Sequence, residues 1–405
     1  MKNSSGPSIL PRILVLLLLV VAAGCKQPGT AEPSSPPQTQ TPPYPGLPVT
    51  EQTSGNDTKP GAPAPDEQEH VYKASLAAVG DVLIHSSIYK DAHTAEGYDF
   101  RPMFGPVKRY IEEADIALAN QESMIGGVEL GLSDYPRFNG PSEVGDALKD
   151  AGFDVVNLAN NHTLDRGEQA VENTIRHYRE LGLLYTGAYV SEEDRGQLRT
   201  IEKNGIRFGF LSYTYGTNGI PVPEQKPYLV SLIDTETIRK DVAKARSQTD
   251  VVVVSLHFGQ EYVLMPSDSQ KEIARAAAEA GAAIVIGHHP HVLQPAEWIE
   301  TSGGGKTFVI YSLGNFIAAQ DGTRERIGGI VRLDVVKTVK GGSSRIEIKQ
   351  PGFIPTWIHR VDWRKYKIEP LQDVENGQLP HADDVRREIA DHMKLWMPEL
   401  RMDEG

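Results

Sequence analysis

Three histidines and a proline, His288-His289-Pro290-His291, follow a short apolar run at 283–286, and neutral imidazoles this close together can share a metal ion. His289 and His291 stand two apart, which in extended chain turns both rings to the same side. Other polar groups of ligand type recur in the same kind of place. Asp81 follows the apolar run 74–79, Glu122 follows 116–119, Asn161 and His162 follow 155–158, and His257 closes the run that begins at Val251. Each has a bland reading alone: Asp81 as a helix N-cap, Glu122 and Asn161 as loop hydrogen-bonders, His257 as a packed ring. Their recurrence at five strand ends argues for chemistry, because open α/β sheets build their sites there. Oxygen and imidazole donors without thiolate suit Mn²⁺, Fe²⁺ or Zn²⁺ better than Ca²⁺. The expectation is one or two divalent ions.

These positions need a scaffold, and the pattern from about 72 to 316 supplies one. Short apolar or β-branched runs at 74–79, 116–119, 155–158, 207–213, 251–254 and 283–286 alternate with amphipathic stretches at 107–114, 144–151, 167–181 and 270–280. That alternation predicts an α/β protein with covered sheets. Beyond about residue 325 the pattern changes to strands at 327–336, 344–348, 353–358 and 366–368 with polar turns, followed by a terminal helix at 383–396. No repeat of fixed period is present.

Composition narrows the function classes. Among 405 residues, 41 Lys+Arg stand against 54 Asp+Glu, a net charge of −13 that argues against nucleic acid as a partner. With 39% hydrophobic and 23% charged residues, the chain reads as a folded globular protein rather than a multi-span membrane protein. Its single cysteine, Cys25, excludes a disulfide framework and a thiolate zinc site. Position explains that cysteine better: Lys2 and Arg12 precede an apolar run at 13–23 that is too short to span a bilayer, and Ala22-Ala23-Gly24-Cys25 ends it. This start resembles a bacterial lipobox, which implies a lipoprotein signal peptide at 1–24, lipidation of Cys25 and a folded body held outside the cytoplasm at the membrane. Loss of 1–24 would leave a net charge of −15. Residues 26–70 are rich in Pro, Thr, Ser, Gly and Gln, which predicts a disordered tether. The expected organisation is signal peptide 1–24, lipidated tether 25–70, a main domain 71–320 and a β-rich extension 321–405 of the same domain.

Taken together, Gly80-Asp81, Asn120-Gln121-Glu122, Ala159-Asn160-Asn161-His162-Thr163-Leu164-Asp165-Arg166-Gly167, Leu256-His257-Phe258-Gly259-Gln260-Glu261-Tyr262, Gly287-His288-His289-Pro290-His291 and Ser312-Leu313-Gly314-Asn315-Phe316 resemble the CapA (PgsA) family of poly-γ-glutamate capsule proteins. The resemblance spans about 72–320. That family is similar in turn to calcineurin-like metallophosphoesterases, which implies a four-layer αββα sandwich with a binuclear centre at the strand ends. Carried over, it makes Asp81, Asn161, His257, His289 and His291 metal ligands and puts Glu122 at the bridging position. His162 becomes the catalytic histidine. Two departures stand out. The superfamily usually begins Asp-x-His, whereas Val82-Leu83 follow Asp81 here and the nearest histidine is His85; Glu122 adds a methylene where an aspartate is usual. One tight and one weak metal site are therefore expected, with His85 and His288 as further ligands or neighbours of the ligands.

If the centre is catalytic, the reaction is hydrolysis, since a divalent cation makes water acidic enough to attack near neutral pH. His162 would protonate the leaving group. Asp165, three residues on, would orient His162 or cap the following helix. Arg137 and Arg166 stand near the motifs and would neutralise carboxylates of an anionic polymer if they face the cleft; otherwise they are surface residues. Three readings remain: a membrane-anchored accessory factor of poly-γ-glutamate synthesis or export, working with the capsule machinery and binding or processing the polymer; an extracellular metallohydrolase of phosphoesters or peptide-like bonds; and a ligand-binding lipoprotein.

Overall fold

The computed structural model describes residues 68–402. The signal peptide, Cys25 and nearly all of the tether lie outside the described residues. Two sheets dominate. The first runs, in spatial order, Arg364–Pro370, Ser343–Val361, Ile327–Lys340, His70–Val82, Ile116–Gln121, Val155–Asn157 and Leu184–Thr186. From His70–Val82 onward its strands are parallel, and the C-terminal strands extend it by antiparallel pairing. The second runs Leu293–Glu300, Lys306–Leu313, Ile284–His288, Val251–His257, Ile206–Thr214 and Arg199–Lys203, with a parallel centre and antiparallel edges.

Why the sheets stack follows from alternation along the strands. In His70–Val82, Leu76 and Ala78 face one side, packing with Val251, Val253, Ile284 and Ile286 of the second sheet. Ala77 and Val79 face the other, against Val144, Leu148, Val171 and Ile175 of the helices Glu143–Asp150 and Gly167–Leu181. In the second sheet Val252, Val254 and Val285 turn outward onto the helices Thr235–Arg246 and Asp268–Glu279. The result is four layers, helix on sheet on sheet on helix, in the αββα order that the family resemblance implies. Both outer helices have local start signals. Asp234 accepts from the Thr237 amide, and Ser267 with Gln270 forms a capping box. The terminal helix Ala382–Met393 closes an open side of the layer between the sheets through Ile389 and Met393.

Two details differ from the sequence reading. The stretches 344–348 and 353–358 are one strand, Ser343–Val361, because the pairing with Ile327–Lys340 continues past an irregularity near Arg332. His288 lies inside its strand, directly paired with His257 at the end of the Val251–His257 strand, rather than beyond it.

Between Leu313 and Asn315 the chain passes from the second sheet to the first, where Asn315–Ile317 pairs with His70–Val82. The Asp81 amide donates to the Gly314 carbonyl at 2.9 Å. The crossover and the strand that leads into it run so close to their neighbours that only glycine fits beside them. A Cβ on Gly80 would lie 1.9 Å from the Gly314 oxygen, and one on Gly287 would lie 1.9 Å from the Tyr311 oxygen. We expect Gly80→Ala and Gly287→Ala each to destabilise the fold by roughly 3 kcal/mol, since backbone rather than a side chain must move. Urea unfolding of each variant against the parent measures this, and a loss below about 0.5 kcal/mol would contradict the close approach.

Candidate metal centre

All five chemistry-bearing segments converge at one end of the two stacked sheets. Asp81 is fully buried in its strand, accepting from Asn120 Nδ2 at 2.8 Å and from the His289 amide at 3.2 Å. It caps no helix; the N-cap of the Ser86–Asp91 helix is His85. Glu122 lies just past Ile116–Gln121, also fully buried. Asn161 and His162 sit on a turn held by Thr163, whose hydroxyl accepts from the Asn160 amide at 2.9 Å and lies 2.6 Å from the Leu158 carbonyl.

His289 and His291 do converge, but not in extended chain. Both have positive φ, 98° and 59°, so two left-handed residues around Pro290 fold the loop back over the site. Each imidazole then faces a carboxylate. His257 Nε2 is 3.6 Å from Glu122 Oε1 and 2.9 Å from Asn161 Oδ1. His291 Nε2 is 3.7 Å from Glu122 Oε1, and its Nδ1 is 3.4 Å from Asp81 Oδ2 and 3.0 Å from Asn315 Oδ1. Most of these carboxylate–imidazole gaps are too long for hydrogen bonds. They match the separation of about 3.4 Å between two donors that share one cation through bonds of about 2.1 Å.

The decisive polar atoms are those of Glu122. Both carboxylate oxygens are buried without a hydrogen-bond partner, as is His289 Nδ1. Buried carboxylates are normally paired or metal-bound. Among the described residues, three trios bring ligand atoms within 4.8 Å of one another: Glu122, His257 and His289; Asp81, Glu122 and His291; and Glu261, His289 and His291. Glu122 belongs to two of them, so it is the carboxylate that a two-ion centre can share.

Electrostatics point the same way. Burial, reinforced by Asp81 and opposed by His291, pushes the Glu122 carboxyl well above its usual range. Burial and neighbouring histidines hold His257 well below the ordinary histidine value; burial and His291 hold His289 at about 3. Burial, opposed by Asp81, holds His288 at about 4. These rings are neutral, the form that ligates metals. For His291, burial is outweighed by Glu122 and Asp81, which push it up to about 9. Burial alone would raise Asp81, but the hydrogen bond and charge of His291 bring it below the usual range.

His162 is set apart by its own support. Its Nδ1 donates to Asp165 Oδ2 at 2.6 Å, and that oxygen also accepts from the Phe138 amide at 2.7 Å. The ring stands edge-on to Phe138 at 4.8 Å between centroids. Asp165 therefore orients His162 and does not cap the next helix, whose N-cap is Arg166 without a side-chain bond. Arg166 does not reach into the cleft either: its guanidinium donates to the Leu130 and Gly131 carbonyls and to Ser133 Oγ. Arg137 is exposed. His85 joins none of the three trios; its Nδ1 accepts from the Ala319 amide at 3.2 Å and its ring packs on Phe138. His288 Nδ1 is 3.6 Å from Asp81 Oδ1, and neither ring nitrogen has a hydrogen-bond partner.

Four polar residues of the site carried no assigned role in the sequence. Asn120 spans Asp81 and His257, Asn315 faces His291, Asn218 contacts Asn161 and His162, and Glu261 completes the third trio. Asn120, Glu261 and Asn315 lie within the quoted motifs. Asn218 lies in an irregular loop with no motif to mark it.

Residues 75–320 match the family described as bacterial capsule synthesis protein PGA_cap. The chain belongs to that family. This PGA_cap member is 30% identical over 282 residues to the capsule biosynthesis protein CapA of Bacillus anthracis, covering 67% of this chain and 66% of that protein. It is 37% identical over 227 residues to the PGA biosynthesis protein CapA of Bacillus subtilis (strain 168), covering 56% of each. The chain thus spans just under two thirds, and just over half, of the lengths of these relatives. Among solved structures it is similar to the NAD nucleotidase of Haemophilus influenzae, with TM-score 0.44 and 11% identity over 83% of this chain and 58% of that one. A putative 5′-nucleotidase from Staphylococcus aureus gives TM-score 0.43 and 17% identity over 78% and 58%.

Proposed function

We propose that this PGA_cap protein acts in capsule-polymer synthesis or export as an extracytoplasmic, lipid-anchored factor whose cleft binds one or two divalent ions and takes poly-γ-glutamate. The carrying observation is Glu122: a fully buried carboxylate with two unpartnered oxygens, facing His257 and His291. The capsule role follows the names of both Bacillus relatives, and the polymer follows the PGA in the name of the Bacillus subtilis protein and of the family.

Asp81, Glu122, Asn161, His257, His289 and His291 would hold the ions. A bound divalent cation supplies an acidified water and charge neutralisation for hydrolysis. The rest is done by the chain. Asn120 fixes Asp81 and His257 relative to each other. Asp165 keeps the His162 proton on Nδ1, leaving Nε2 to exchange a proton with a leaving group. The acidic chain offers no general attraction to a polyanion, so binding rests on local cations in the cleft.

The test is metal content by mass spectrometry on the full chain in detergent, beside a His289→Ala/His291→Ala variant. We expect about one to two equivalents of Mn, Fe or Zn in the parent and a loss of most of it in the variant. Equal content in both proteins, or none in the parent after Mn²⁺ or Zn²⁺ is added back, would reject the metal centre. Cleavage of poly-γ-glutamate but not of phosphodiesters would then favour the capsule reading over a phosphoesterase.

A further inference from the structure

Beside the cleft, on the His85 side, two arginines are packed together with too little negative charge. Arg360 has a side chain only 6% exposed, its guanidinium lies 3.7 Å over the Trp363 ring, and its Nη1 is buried without a hydrogen-bond partner. Arg326 lies 4.0 Å over the Trp357 ring and donates from Nε to the Ile358 carbonyl at 3.0 Å. Burial and then the charge of Arg360 bring Arg326 down to about 10. One carboxylate answers both. Asp321 pairs with Arg360 Nη2, yet its own side chain is 80% exposed. Nearby, the Tyr366 hydroxyl meets Ser87 Oγ at 2.8 Å and feels the charge of Arg360.

This cluster is joined to the cleft through consecutive residues. The Ala319 amide donates to His85, Gln320 Oε1 accepts from Asn315, Gln320 Nε2 donates to the Tyr262 hydroxyl, and Asp321 follows directly. Asn315 in turn faces His291.

We propose that Arg360 and Arg326, with the hydroxyls of Tyr366 and Ser87, form a carboxylate-binding subsite beside the cleft, held by Asp321 until a carboxylate of an anionic polymer displaces it. Asp321 is the exposed half of its pair and returns to water when displaced, whereas a buried guanidinium with an unpartnered nitrogen favours an incoming carboxylate that reaches two of its nitrogens at once. The subsite rests on the polymer reading of the cleft. It would hold one acidic group of the chain while another sits among the metal ligands, which suits a ligand carrying carboxylates at regular intervals.

The test is calorimetric titration of the full chain in detergent with a short γ-glutamyl oligomer, with glutarate and with inorganic phosphate. Parent, Arg360→Gln, Arg326→Gln and Asp321→Asn are compared, each with a melting curve to verify folding, and the His289→Ala/His291→Ala variant isolates binding outside the metal cleft. We expect Arg360→Gln and Arg326→Gln to weaken oligomer and glutarate binding about tenfold or more, and Asp321→Asn to tighten it by removing the competing carboxylate. That binding persists in the double histidine variant and falls with added salt. Equal affinity across folded arginine variants, or weaker binding in Asp321→Asn, overturns the subsite while leaving the cleft reading intact. Glutarate binding that depends on Arg360, without oligomer binding, supports the subsite and rejects the polymer. Arginine-dependent binding of phosphate in preference to glutarate overturns the carboxylate assignment.

Discussion

On the proposed hydrolase reading, replacing His162 with alanine is expected to lower turnover about 100-fold or more while leaving metal content unchanged. The expectation rests on separation of roles. His162 belongs to none of the trios of ligand-type side chains, and its orientation comes from Asp165 and Phe138 rather than from Asp81 or Glu122. Its Nδ1 proton is engaged by Asp165, so Nε2 is the nitrogen available to a leaving group. Asp165→Asn gives a smaller loss in the same direction, because the ring remains but its tautomer is no longer fixed by a carboxylate. Turnover and metal content measured together decide it: an unaltered rate in His162→Ala removes the acid role, and a parallel loss of metal would make His162 a ligand instead.

Glu122→Gln carries the second large effect, and its sign depends on metal. In the parent, added Mn²⁺ or Zn²⁺ raises the melting temperature; an ion at 1,000 times its dissociation constant stabilises the fold by about 4 kcal/mol. The variant loses most of that rise, because the shared carboxylate is gone from two trios at once. With chelator present the order reverses. Glu122 is then a fully buried carboxyl without a hydrogen-bond partner, its charged form disfavoured by burial and by Asp81 and favoured by His291. A neutral amide of the same shape removes the buried charge but leaves its polar atoms unpartnered, so the gain over the chelated parent is small, under about 1 kcal/mol. Calorimetric melting with and without metal reads both signs. A variant that keeps the full metal response would show that Glu122 does not ligate.

The site's residue types were legible in the chain because apolar runs announce strands and the ends of strands are where polar groups converge. Asp81, Glu122, Asn161, His257, His289 and His291 could be picked out on that ground. The reason offered for His289 and His291 was different from the one the fold uses. Period-two alternation fails there because both residues adopt positive φ, a backbone conformation that residue type does not announce. Asp165 and Arg166 show the same limit. Each had a local alternative, a helix cap or a cleft cation, and each is instead fixed by distant backbone: Phe138 for Asp165, and Leu130 and Gly131 for Arg166.

By itself the sequence determined the α/β class, the motif order, the acidic balance and the family resemblance, since these depend on patterns within one stretch of chain. Tertiary structure decided which groups meet. The crossover at Gly314 brings Asn315 to His291, a loop turn brings Glu261 to the same histidine, and the C-terminal strands bring Arg360 beside Arg326. Those contacts join residues tens of positions apart, and pairings of that range are fixed by the packing and pairing of whole strands, which no local periodicity records.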